Sequence, residues 1–127
     1  MYKCGGSLIN RKYVVTAAHC HNDNFEAQKI VEIVLGEHNV DQDPDCSNGC
    51  LPVQRFQPQE IISHPDYTGG INHDIALIRL NGLAETFWEN VDQPVLSVCL
   101  PRPYKGTKEP QIKSFEVFGW GKSSVSQ

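Results

Sequence analysis

The chain is 127 residues long, 39% hydrophobic and 20% charged, with a net charge of −4, which leaves room for at most one ordinary soluble domain. No run of like charges marks a nucleic-acid footprint or a membrane-surface patch, and no apolar stretch is long enough to span a bilayer. The start, Met1-Tyr2-Lys3-Cys4, lacks the apolar core of a signal peptide, so Met1 reads as an internal residue or as the start of a shortened chain.

In chain order, Gly5-Gly6 precedes a short run, Ser7-Leu8-Ile9. Tyr13-Val14-Val15-Thr16 is β-branched and aromatic, as strands prefer. Ala17-Ala18-His19-Cys20 suggests one helical turn, too short to stand alone. Four further strands are expected. Ile30 to Leu35 stops at Gly36, and Gln59 to Ile62 stops before His64-Pro65. Ile75 to Leu80 stops at Asn81-Gly82, and Phe115 to Phe118 stops at Gly119-Trp120-Gly121. Residues 21–29 and 38–52 read as polar loops, and 122–127 as a serine-rich surface loop or a cut end. There is no internal repeat. Short strands with polar spacers predict an all-β antiparallel barrel or sandwich.

Five cysteines stand at positions 4, 20, 46, 50 and 99. In a reducing compartment they would suggest a metal or redox site, and in a secreted protein disulfides. Two bridges would leave one cysteine for a partner outside the chain, or as a free thiol.

The densest chemistry is His19-Cys20-His21. Consecutive side chains diverge on strand and helix alike, so three neighbours rarely converge on one ion. Cys46-x₃-Cys50 has a zinc-like spacing but no matching second pair. A disulfide fits better. If the runs 7–9 and 13–16 pair around Asn10-Arg11-Lys12, Cys4 and Cys20 come together. That bridge closes a loop of about 16 residues, on the order of 3 kcal/mol by loop entropy. His19 is then fixed in space, either as a core residue or as a general base. A base needs an orienting carboxylate, and Asp74, at the head of the Ile75–Leu80 run, is the best candidate. Both readings of His19 stand at this level.

Taken together, "CGGSLINRKYVVTAAHC" (4–20), "HNDNFEA" (21–27), "SHPDY" (63–67), "HDIALIRL" (73–80), "VCLP" (98–101) and "FGWG" (118–121) resemble the trypsin-like (chymotrypsin-fold) serine endopeptidases. The motifs come in that family's order and cover nearly the whole chain. The resemblance implies the two-barrel antiparallel fold. Residues 1–127 would be a partial peptidase domain, mainly the N-terminal barrel with the start of the crossover. It implies that His19 is the general base and Asp74 the carboxylate holding its tautomer, the family being the standard case of that triad. It also implies that Cys4–Cys20 is the histidine-loop disulfide, that the substrate is protein, that no cofactor is required, and that the protein is secreted.

The family's nucleophile lies in a G-D-S-G-G motif, and none occurs here. Ser7, Ser63, Ser97, Ser123, Ser124 and Ser126 all lack the glycine-rich surroundings of an oxyanion hole. Triad members act as a unit, so residues 1–127 alone are expected to be inactive. With the second barrel missing, the specificity pocket and a covering for the open strand edges are missing too, and aggregation is expected.

Cys46 and Cys50, in "DQDPDCSNGCLPVQ" after LGEHN, look like the clip-domain proteases of arthropod immune and developmental cascades, with a local Cys46–Cys50 bridge. Cys99, in VCLP, would then tie this domain to a pro-segment or clip domain. Glu37, the Asn39 and Val40 carbonyls, and Asp43 or Asp45 offer hard oxygen ligands for a structural calcium ion, as trypsin-like enzymes often have at this position. A solvated acidic loop is the other reading. His64, before Pro65, reads as structural, His38 as flanking the acidic loop, and His73 as pointing away from Asp74. His21 opens a surface loop with no assigned role. No N-x-S/T sequon occurs. The alternative function is a non-catalytic serine protease homologue that acts as a binding cofactor in such a cascade. A free-standing zinc module is the third class.

Overall fold

One asparagine sets the hairpin that opens the chain. The Asn10 Oδ1 accepts hydrogen bonds from the Lys12 N–H at 2.8 Å and the Tyr13 N–H at 3.0 Å. This side-chain turn reverses the backbone within two residues and joins β1 (Ser7–Asn10) to β2 (Tyr13–Thr16). The computed structural model describes residues 4–21, 29–39, 41–42, 52–86, 95–101, 114 and 116–117. After the hairpin come a single 3-10 turn (Ala18–Cys20), β3 (Ile33–Leu35), β4 (Gln54–Phe56), β5 (Pro58–Ser63) and β6 (Ala76–Leu80).

All pairings among the described residues are antiparallel. One sheet has the order β1-β2-β6-β5, and β3 pairs with β4 in a second. β6 therefore inserts between β2 and β5. β6 can take that central place because its sequence alternates. Ala76, Ile78 and Leu80 point inward at 2%, 3% and 0% exposure, while Leu77 and Arg79 are half-buried on the other face. That period of two is what a strand buried on one face requires. Pro58 heads β5, where a missing N–H costs least.

Both sheets feed one core. Leu8, Val14, Ile78, Leu80 and Ala84 are buried in it, and Ile33 and Leu35 of β3, Phe56 of β4, and Val95 pack against them. The segment 95–101 lies beside the β1 edge, where the Val98 N–H bonds the Leu8 carbonyl at 2.8 Å. It also reaches the end of β3: Gly36, at φ 79°, leaves only 3.1 Å between a would-be Cβ and Val95. This is the antiparallel all-β fold that the resemblance implies.

Three expectations change in detail. The strand expected from Ile30 begins at Ile33, because only three residues face β4; Ile30 still packs on the core, while Val31 is exposed. β4 was not expected, since Gln54-Arg55-Phe56 carries little strand signal of its own. Of the run Phe115–Phe118, only Glu116 and Val117 are described. Neither lies in a strand, and both are exposed.

Candidate active site

The register of β2 against β6 brings two distant residues together. Thr16 pairs with Ala76, so the end of β2 and the start of β6 lie at the same end of the sheet. His19 follows Thr16 by three residues and Asp74 precedes Ala76 by two. The polar group expected at the head of the β6 run thus faces the turn that leaves β2.

The 3-10 turn supplies the donors. Its own bonds run from the Cys20 N–H to the Ala17 carbonyl and from the His21 N–H to the Ala18 carbonyl. The N–H groups of Ala18 and His19, at the head of the turn, have no partner within it. Asp74 takes the His19 N–H through Oδ1 at 2.8 Å. Its Oδ2 lies 2.7 Å from His19 Nδ1. The bond from the His19 ring holds the Asp74 carboxyl below its ordinary pKa. The backbone N–H groups of His19 and Ala18 add to this, and partial burial opposes it. An ionised carboxylate only accepts, so the Nδ1 hydrogen belongs to His19. In the neutral imidazole Nε2 then carries the lone pair, 3.8 Å from the Cys20 Sγ, on a ring whose side chain is 62% exposed against 23% for Asp74. A proton-accepting nitrogen on an exposed ring, aimed from behind by a fixed anion, is the arrangement a general base needs.

The backbone at Asp74 is tightly turned. The Ile75 N–H bonds the His73 carbonyl at 2.8 Å across it. His73 has φ 56°, and no other non-glycine residue among those described has a positive φ. A left-handed conformation costs an L-residue about 1 kcal/mol or more, so something must hold it there.

Behind His19, Cys4 and Cys20 form a disulfide with Cα atoms 6.1 Å apart. The arm that carries Cys4 is pinned by the Thr16 hydroxyl, which donates to the Gly5 carbonyl at 2.8 Å. Gly6 lies so close to β2 that a Cβ would sit 2.7 Å from Val14 Cγ1 and 3.0 Å from the Val15 carbonyl. Ligand atoms of Cys4, His19 and Cys20 fall within 4.8 Å of one another, as no other such group does among the described residues. The bridge settles their chemistry: metal-binding cysteine is thiolate, and disulfide sulfurs carry no such charge. The cluster is a staple beside a histidine.

The remaining sequence candidates scatter. Glu37 and Asn39 are described, whereas Val40, Asp43 and Asp45 of the calcium set lie outside the described residues, as do Cys46 and Cys50. The Asn39 carbonyl accepts the Gln42 N–H at 3.0 Å, and its Oδ1 accepts the Asp41 N–H at 3.2 Å. Both oxygens thus already serve a turn. Cys99 is an exposed free thiol. The structure adds one further contact. His73 stacks on His64, with ring centroids 4.8 Å apart and planes at 18°. Only their places, at the two ends of one interstrand loop, hinted at it.

A family profile described as Trypsin matches residues 1–127. The chain belongs to the trypsin family. Among its relatives, it is 40% identical over 142 residues to phenoloxidase-activating factor 1 of Holotrichia diomphalia, covering 99% of this chain and 35% of that protein. It is 43% identical over 110 residues to CLIP domain-containing serine protease B10 of Anopheles gambiae, covering 79% and 29%. It is 36% identical over 133 residues to CLIP domain-containing serine protease HP8 of Bombyx mori, covering 98% and 34%. The chain thus spans about a third of the length of these relatives. Two of these three relatives are named for a CLIP domain and the third as a phenoloxidase-activating factor.

Proposed function

We propose that the protein is a serine endopeptidase of the clip-domain cascade type. Residues 1–127 form a partial peptidase domain that carries the base and its orienting acid. The supporting observation is the two-point hold of Asp74 on His19, one bond to the backbone and one to Nδ1. Such a hold fixes both the tautomer and the direction of the ring. His19 Nε2 takes the hydroxyl proton of a serine as it attacks the scissile carbonyl, then returns it to the leaving amine. Asp74 stays ionised and stabilises the imidazolium formed between those steps. The serine, its oxyanion donors and the substrate pocket are not among the motifs of residues 1–127, so this stretch alone is inactive.

The same reading includes secretion, a protein substrate, a Cys46–Cys50 bridge, and an intersegment bridge from Cys99 to a pro-segment or clip domain. Exposure of the Cys99 thiol supports the last of these. It also includes a structural calcium ion at Glu37, Asn39, Val40, Asp43 and Asp45, which is not a participant in the reaction. Titration calorimetry with no heat at millimolar calcium removes that element. Peptide mapping without reduction checks the two bridges.

The deciding experiment compares the full-length protein with its His19→Ala and Asp74→Asn variants on peptide substrates. Hydrolysis that is lost in both variants is the expected result. Hydrolysis absent from the unmodified protein, together with glycine in place of the nucleophilic serine, would instead identify the non-catalytic homologue.

A further inference from the structure

The left-handed residue that precedes Asp74, His73, stacks its ring on His64. We infer that His64 and His73 are positioning residues: their stack locks the turn that presents Asp74 to His19. This rests on the proposed role of His19 and Asp74.

The two imidazoles lie 4.8 Å apart and nearly parallel. His73 has φ 56°, and its carbonyl closes the turn by accepting the Ile75 N–H at 2.8 Å. From the other side, the His64 N–H donates to the Ile75 carbonyl at 2.9 Å. Asp74 therefore sits in a turn clamped through both neighbours, and His64 grips each of them, by its ring and by its backbone. His64 is itself anchored. Its Nδ1 accepts the Asp66 N–H at 3.1 Å, and its carbonyl accepts the Tyr67 N–H at 2.9 Å. That use of Nδ1 puts the ring hydrogen of neutral His64 on Nε2. The lone pair a metal would need is therefore spent, and a two-histidine metal site is disfavoured in favour of the stack. An unusual φ persists only where its surroundings over-determine it, and a catalytic group misplaced by about 1 Å can lose about a hundredfold in rate.

The test uses the full-length protein and two readouts: steady-state kinetics, and the low-field proton resonance of the His19 Nδ1–H bonded to Asp74. His64→Ala should lower kcat by about tenfold with KM within about twofold, and should shift or broaden the resonance. His64→Phe, which restores a stackable ring, should recover most of both. Should His64→Ala fail to fold, His73→Ala removes the stack without supplying asparagine's own left-handed preference, and should move the resonance in the same way. An unchanged resonance in His64→Ala or His73→Ala overturns the proposal, as does failure of His64→Phe to rescue a folded protein. If hydrolysis proves independent of His19, the assignment of the base falls, and the resonance still judges the stack.

Discussion

Removing the Cys4–Cys20 bridge should loosen the sheet that carries the base. The cysteines are 16 residues apart, and the chain-entropy relation gives about 3 kcal/mol for closing a loop of that size in the unfolded chain. At about 1.4 kcal/mol per factor of ten, that is a change of roughly a hundredfold or more in the ratio of closed to open states. Cys4 is exposed, so Cys4→Ala with Cys20→Ala removes the bridge together with one further contact, that of Cys20 Sγ with His19 Nε2 at 3.8 Å. Native-state hydrogen exchange of the full-length protein is the appropriate assay, because it reports opening amide by amide. The amide of Leu80, bonded to the Lys12 carbonyl at 2.9 Å, and that of Val98, bonded to the Leu8 carbonyl at 2.8 Å, bracket the hairpin. Each should lose about 3 kcal/mol of protection wherever exchange occurs through opening of this sheet. A loss below about 1 kcal/mol at both amides would refute the reasoning. It would mean that the hairpin is already closed in the open state and that the bridge constrains nothing.

Leu80→Ala should cost about 2–5 kcal/mol in denaturant unfolding, because Leu80 is the largest fully buried side chain among the described residues. Gly6→Ala should destabilise by about 1–3 kcal/mol, since its Cβ would meet Val14 Cγ1 at 2.7 Å and the Val15 carbonyl at 3.0 Å; a neutral effect in the same assay counts against the tight approach of the Cys4 arm. The Asp74 carboxyl is held below its ordinary value by His19. Its contribution to stability is therefore fully present above the ordinary carboxylate range and is lost as pH falls through the lowered value. Asp74→Asn should remove that acid-side component from the stability-versus-pH curve, and an unchanged curve below the carboxylate range would contradict the His19 contact.

Much of the secondary structure could be read locally. β1, β2, β3, β5 and β6 were legible because apolar and β-branched runs are punctuated by Asn10, Gly36, Pro65 and Gly82. β4 was not, because Gln54-Arg55-Phe56 becomes a strand through its partner: Ile33 faces Phe56, and Leu35 faces Gln54. Gln54 is also tied sideways, exchanging two side-chain bonds with the Glu85 backbone at 2.7 and 2.8 Å. Such support comes from residues far along the chain and leaves no local pattern.

Residue order alone carries the residue types of the site, the motifs that resemble the trypsin family, and the small loop that Cys4 and Cys20 close. It left His19-Cys20-His21 open among ligand, staple and base. Tertiary structure decided the rest. Inserting β6 between β2 and β5, with Thr16 opposite Ala76, carries Asp74 across 55 residues to within 2.7 Å of His19. Pairing between strands distant in the chain depends on which edges are free and which faces are apolar, and no single stretch encodes that. The His64–His73 stack has the same origin: two residues at the ends of one loop meet only after β5 and β6 have paired and brought those ends together.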